Sequence, residues 1–318
     1  MLTSFFKKSK PLNFLIPLLI LSIFFISFNT LVYFEDFNAV FTLKKIGALL
    51  TLLALACILN FVLIKNKAKG RHTFTLFLFS LFSISHWAIL IDNYSIIAGF
   101  FIVFAIHRVI GMKTGISISK KIFDSFFAIA LASLIFPPSL FFIIIPFIGI
   151  LLFHPENYKN WFLFIPAILT IFILKTCFDL FSINQFFNPL DLFSFEIISY
   201  ENFLNPYTLS SVGLIFLFII WFTGNIFISI RRNTQIQKTT DSLLIFILLS
   251  SLFVVLFSEN YTQHIETTLL FPYISCALIG GRYFEISNPK TVKLKEILFI
   301  TLSSGCVILA ILSLWQLI

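Results

Sequence analysis

The interval YFEDFNAVFTLKK places two adjacent carboxylates, Glu35 and Asp36, a short way before two adjacent ammonium groups, Lys44 and Lys45. A carboxylate in such a loop could act as a general base or hold a divalent metal, and lysines beside it could hold a phosphate. An interfacial loop that neutralises its own charge would carry the same residues. A second pair lies in ILKTCFDLF, where Lys175 and Asp179 are four apart and so share a helix face. Either Lys175 faces a cavity that opens outward, or it is a snorkelling lysine paired with an interfacial carboxylate. His86, in SISHWAIL, is followed by Asp92. Glu35 and Asp36 are thus the candidate catalytic groups, and Lys44, Lys45, Lys175 and Asp92 the candidate substrate contacts.

Other chemistry is sparse. The sequence contains no GxGxxG, Walker A, HExxH or GxSxG pattern. Cys57, Cys177, Cys276 and Cys306 are scattered through apolar runs without a CxxC, so neither a metal framework nor a disulfide framework follows. His72, His107, His154 and His264 read as loop or boundary residues. No cofactor is implied, although Glu35 and Asp36 leave a divalent metal open.

The elements that must position these groups are membrane spans. The chain is 59% hydrophobic and 11% charged, with a mean hydropathy of +1.02; a soluble domain carries about 25% charged residues. Apolar runs of roughly 20 residues recur from end to end, each long enough for a ~30 Å hydrocarbon core. The alternation of a membrane β-barrel is absent. The reading is an all-α polytopic transmembrane bundle forming one integral membrane domain over 1–318. Spans are expected at about 12–34, 46–64, 73–91, 94–110, 161–181, 208–230, 242–258, 267–282 and 297–316, with 122–153 between the fourth and fifth of these. The N-terminal run reads as an uncleaved span, not a signal peptide. The abundance of phenylalanine, 45 residues, reads as compositional drift, and a Phe stripe as lipid-facing filler rather than a binding platform.

The segment 122–153 is too long for one ordinary crossing, and Pro137-Pro138 breaks it near its middle. Its two arms, as short spans or as a re-entrant hairpin, return the chain to the side it left, for about 11 membrane segments in all. With that hairpin, all of the 22 Lys and Arg except Lys44, Lys45 and Lys175 fall on one side. The positive-inside rule makes that side cytoplasmic and puts the N-terminus there. The net charge of +8 is then mostly a topology signal and implies no nucleic-acid partner. On the outer side, the long interval 182–207 carries Asp191, Glu196 and Glu201 among aromatic and aliphatic residues, a pattern that allows a surface-lying amphipathic helix.

The start, MLTSFFKKSKPLNF, and the stretch FDSFFAIALASLIFPPSLFFIIIPFIGILLF with its HPENYKNW turn resemble a family of polytopic integral membrane proteins of flavobacteria and their relatives in the Bacteroidota, a family that brings no activity with it. The middle stretch also resembles the short-helix pair of polytopic glycosyltransferases that use polyprenyl-phosphate sugars. That resemblance implies work at the outer face of a bacterial inner membrane, with Glu35 or Asp36 at the position of the acidic residue in the first outer loop. This chain departs from the pattern in the shortness of that loop, about 35–45. Three readings follow. One is a glycosyltransferase-like enzyme acting on a lipid-linked substrate, with a polyprenyl-phosphate lipid as partner. Another is a non-enzymatic scaffold or subunit of a cell-envelope assembly, with envelope proteins as partners. The third is a lipid or solute transporter; the scarcity of ionisable groups at the bilayer midplane counts against ion coupling, though not against lipid movement.

Overall fold

The structure, a computed structural model, describes residues 5–6, 10–34, 38–64, 72–183, 186–189, 195–197, 206–232, 235–261, 264–285 and 292–317. Among the described residues, twelve α-helices follow in chain order: α1 (Pro11–Val32), α2 (Ala39–Ile64), α3 (Phe74–Ile84), α4 (Trp87–Ile91), α5 (Asn93–Gly111), α6 (Ile118–Ile135), α7 (Ile144–Phe153), α8 (Phe164–Ile183), α9 (Pro206–Arg232), α10 (Gln235–Leu256), α11 (Leu270–Glu285) and α12 (Val292–Leu317). Short 3₁₀ turns precede α7, α8 and α11. No strand occurs among the described residues. An all-helical bundle is the expected answer to apolar runs this long, because a helix satisfies every interior backbone group within its own segment. Among the described residues six helices are long and apolar enough to cross a membrane: α1, α2, α5, α8, α10 and α12, at Pro11–Val32, Ala39–Val62, Asn93–Thr114, Tyr158–Ser182, Gln237–Leu256 and Lys293–Trp315. Shorter apolar helical stretches lie at Phe74–Ile84, Pro137–Phe153 and Phe216–Ile226.

The double proline acts as its chemistry predicts. Phe136 is extended (φ −138°, ψ 94°), the backbone that a following proline favours, and Pro137–Ile143 forms a 3₁₀ turn before α7. The chain then comes back: His154 Nε2 lies 3.0 Å from the main-chain oxygen of Met112, which precedes α6. The return is close. A Cβ placed on Gly149 of α7 would stand 2.5 Å from Cγ1 of Val109 on α5, so only glycine admits this approach. The arms are unequal, however, since α6 runs for 18 residues and α7 for 10.

The span expected over 73–91 is not one helix. It breaks at Ser85–His86, where His86 is extended (φ −131°, ψ 113°). Ser85 Oγ donates to the main-chain oxygen of Phe82 at 2.6 Å, a local bond that competes with helix continuation. Tyr273 Oη on α11 lies 2.7 Å from Nδ1 of His86, and Ser85 Oγ lies 2.9 Å from it. Asp92 starts the next helix by accepting from the backbone N–H groups of Tyr94 (3.0 Å) and Ser95 (3.3 Å).

The core sits around two helices shorter than a span, α3 and α11. Every residue of α3 is buried, and α11 is buried along most of its length. Gly280 of α11 lets Leu78 of α3 approach to where a Cβ would meet its Cδ1 at 2.8 Å, the small-residue packing expected where lipid supplies no hydrophobic drive between helices. The surrounding helices turn Leu, Ile and Phe outward; of the span Tyr158–Ser182 only 11% is buried inside the protein. Those side chains need a bilayer to cover them.

The bundle has two chemically different ends. At one, Thr73 N–H donates to Phe6 at 3.1 Å, Lys295 Nζ donates to the main-chain oxygen of Tyr283 at 2.6 Å, and Arg108 meets Asp124 at 3.3 Å. There too Arg282 bridges the buried Asp241 (3.2 Å) and Glu285 (3.0 Å), and His72 stands 3.5 Å from Glu285. At the opposite end, Asn29 Nδ2 donates to the main-chain oxygen of Leu90 at 3.0 Å, and the start of α2 packs on the α4–α5 junction.

Candidate functional site

At this second end a pocket of about 890 Å³ opens between α2, the α4–α5 junction and the segment that leads into α11. From α2 come Phe41, Lys44, Lys45, Gly47, Ala48 and Thr51, which fall on one side of the helix by their three- and four-residue spacing. The junction supplies Ile91, Asp92, Asn93, Tyr94 and Ile97. Tyr33, Tyr261, His264 and Thr267 complete the wall.

The two adjacent lysines have different lives. Lys45 is 8% exposed; its Nζ donates to the main-chain oxygen of Ile91 at 2.7 Å and to Oδ1 of Asn93 at 3.3 Å. It also lies over the rings of Tyr33 (4.7 Å to the centroid) and Phe41 (5.4 Å), a cation–π arrangement. Lys45 therefore holds the wall together. Lys44, one residue earlier and rotated to the exposed side, lines the pocket with no hydrogen bond or ion pair among the described residues. Asp92 faces the pocket, but its carboxylate is used in capping α5 and in a bond from Ser95 Oγ.

His264 is held edge-on against Trp87, 5.1 Å between ring centroids. It and Thr267 occupy one face of the 3₁₀ turn Ile265–Leu269, since that turn repeats every three residues. Glu266, off that face, is 9% exposed, and burial pushes its carboxyl up to about 7. The arrangement offers a free ammonium, an imidazole, hydroxyls and several aromatic faces, a set suited to an anion carried on a larger group. Among the described residues no three His, Cys, Asp or Glu side chains converge as a metal site would require.

Of the residues expected from sequence, Lys44, Lys45 and Asp92 meet here. Lys175 does not line this pocket; on α8 it pairs with Asp179 at 2.7 Å and lies near the rings of Phe178 and Phe187. Glu35 and Asp36 lie outside the described residues, as do Asp191 and Glu201 of the long interval. Tyr33, Asn93, Tyr94, Tyr261, His264 and Thr267 were not legible as site residues, because no local motif joins positions so far apart in the chain.

No family model matches the chain, and no curated protein and no solved structure is similar to it. The fold and its lipid-facing surface define the class, a multi-pass helical membrane protein. Within that class the particular feature is the pocket at the end opposite the ion-pair network.

Proposed function

We propose that this protein binds the anionic head group of a lipid-linked substrate in the Lys44 pocket, at the outer face of a bacterial inner membrane. The observation that carries the reading is Lys44, an ammonium with no described partner on the wall of a large, aromatic-lined pocket. In the glycosyltransferase-like form of this reading, Lys44 contacts a phosphate and Glu35 or Asp36 supplies the base. The polyprenyl-phosphate enzymes that the middle stretch resembles are the source of that form.

The orientation belongs to the same proposal. Arg108, Lys113, Lys121, Lys159, Arg282 and Lys295 belong to the end opposite the pocket, and the positive-inside rule would keep that end in the cytoplasm with the N-terminus. About eleven membrane segments follow if the shorter apolar helices and both arms of 122–153 count as crossings or half-crossings. A single cysteine introduced at Lys44 or at Lys159, with the four native cysteines replaced, tests this. Impermeant maleimide should label the first from outside the cell and the second only after the membrane is opened; the reverse would invert the topology.

Lys44→Ala is expected to abolish saturable binding of anionic lipid, and alanine at both Glu35 and Asp36 to reproduce the envelope-glycan change of a gene deletion. An unchanged glycan in that double variant, beside a clear deletion phenotype, rejects the enzyme. One observation favours a second reading, a scaffold or subunit of an envelope assembly: Asp92 is spent on capping α5 and Lys45 on joining α2 to the α4–α5 junction. A stoichiometric partner that co-purifies with the protein and is lost on deletion would support it.

A further inference from the structure

Two opposite charges line one pocket without meeting a counter-ion. Lys44 on α2 and Asp92 at the start of α5 both belong to its wall, and among the described residues neither makes an ion pair, with the other or with a third group. Elsewhere in the bundle Asp124, Asp179, Asp241 and Glu285 each meet a cation. Lys45 attracts Asp92, but its ammonium is bound to the main-chain oxygen of Ile91 and to Asn93 Oδ1, not to the carboxylate. Capping α5 also leaves Asp92 with acceptor capacity, since a carboxylate offers about four lone-pair positions. Oδ2 takes the N–H (3.3 Å) and the Oγ (2.5 Å) of Ser95, whereas Oδ1 takes only the N–H of Tyr94 (3.0 Å). Tyr94, which is exposed, and Tyr261 add aromatic rings to the wall, surroundings that favour a cation. A purely anionic head would gain from Lys44 and be repelled by Asp92.

We infer that the head group this pocket takes is a zwitterion, an anion at Lys44 joined by a short linker to a primary ammonium that donates to Asp92 Oδ1. This rests on the reading of Lys44 as an anion site and adds the cation to it. Asp92 is then a specificity residue that selects amine-bearing heads over plain phosphates. Phosphoethanolamine, free or as the head of a phospholipid, has this chemistry.

Binding of O-phosphoethanolamine, its N-acetyl derivative and methyl phosphate to the whole protein in nonionic micelles tests the assignment. The wild type should bind O-phosphoethanolamine about tenfold or more tightly than either of the others, which lack the ammonium, as one charge-assisted hydrogen bond would give. Asp92→Asn keeps a good N-cap while removing the charge, and should bring O-phosphoethanolamine to the level of methyl phosphate. Lys44→Ala should lose all three. Dihexanoyl phosphatidylethanolamine separates the two sources: tighter binding than O-phosphoethanolamine, weakened by Asp92→Asn, assigns the head to a membrane lipid, and binding no tighter assigns it to a soluble zwitterion. If the N-acetyl derivative binds the wild type as tightly as the parent amine, the inference fails while the anion site stands, and that comparison needs no variant to fold. If none of these ligands binds the wild type saturably, the anion site fails and the inference falls with it.

Discussion

The ammonium of Lys45 reaches across from α2 to the α4–α5 junction and donates to the main-chain oxygen of Ile91 at 2.7 Å. That carbonyl belongs to the last residue of a five-residue helix, so one side chain pins a long helix to a short, interrupted one. Removing it should cost stability before anything else. Lys45→Ala leaves a buried acceptor without its donor, a loss of about 1–3 kcal/mol. A lowered unfolding temperature in detergent, together with weaker binding at the pocket, checks this.

Lys44→Ala should behave differently although the residue is adjacent. Its side chain is exposed and makes no described bond, so stability should change by no more than about 0.5 kcal/mol. Anionic-lipid binding, counted by native mass spectrometry, should fall. Equal destabilisation by the two alanine variants would contradict the division of labour between these lysines.

Glu266 makes the fold sensitive to pH. Burial raises its carboxyl to about 7 in the folded protein, against ~4.3 in an unfolded chain. Between those values the folded state holds a proton that the unfolded state has released, so this group's contribution to stability falls as pH rises from ~4.3 to about 7 and is flat above. The shift corresponds to a difference on the order of 3 kcal/mol. Glu266→Gln should therefore raise the unfolding temperature more at pH 8 than at pH 5. No pH dependence of that gain would remove Glu266 as its source.

Glu285 works in the opposite sense. Burial by itself would raise its carboxyl, but the His72 ring and the Arg282 guanidinium beside it win and hold it below the usual range. Its stabilisation is present above the unfolded value of ~4.3 and is lost as pH falls through the lower folded value. Breaking the network at its centre is more severe. Arg282→Met would leave Asp241 buried without that cation, a loss of about 3–5 kcal/mol, read as thermal aggregation or poor recovery from membranes.

Gly149→Ala tests the hairpin. The added Cβ would meet Cγ1 of Val109 at 2.5 Å, and forcing the two arms apart should cost about 1–3 kcal/mol. An alanine variant as stable as the wild type would mean that α7 does not return against α5 as closely as described.

The sequence by itself determined the class, because apolar length and the scarcity of charge act locally and leave the backbone no alternative to helices. It also determined the break in 122–153, since Pro137-Pro138 removes hydrogen bonds whatever surrounds it. The i,i+4 pairing of Lys175 with Asp179 was legible for the same reason, being set by helix geometry alone. The interruption at Ser85–His86 was not, because the contact of His86 with Tyr273 joins residues brought together only by packing. Nor could spacing tell Lys44 from Lys45: one step along a helix turns a side chain by about 100°, and which of the two meets Ile91 depends on where α4 ends in space. The pocket itself was decided by tertiary structure, since Tyr33, Lys44, Asn93 and His264 become neighbours only when helices distant in the chain close around the buried α3 and α11.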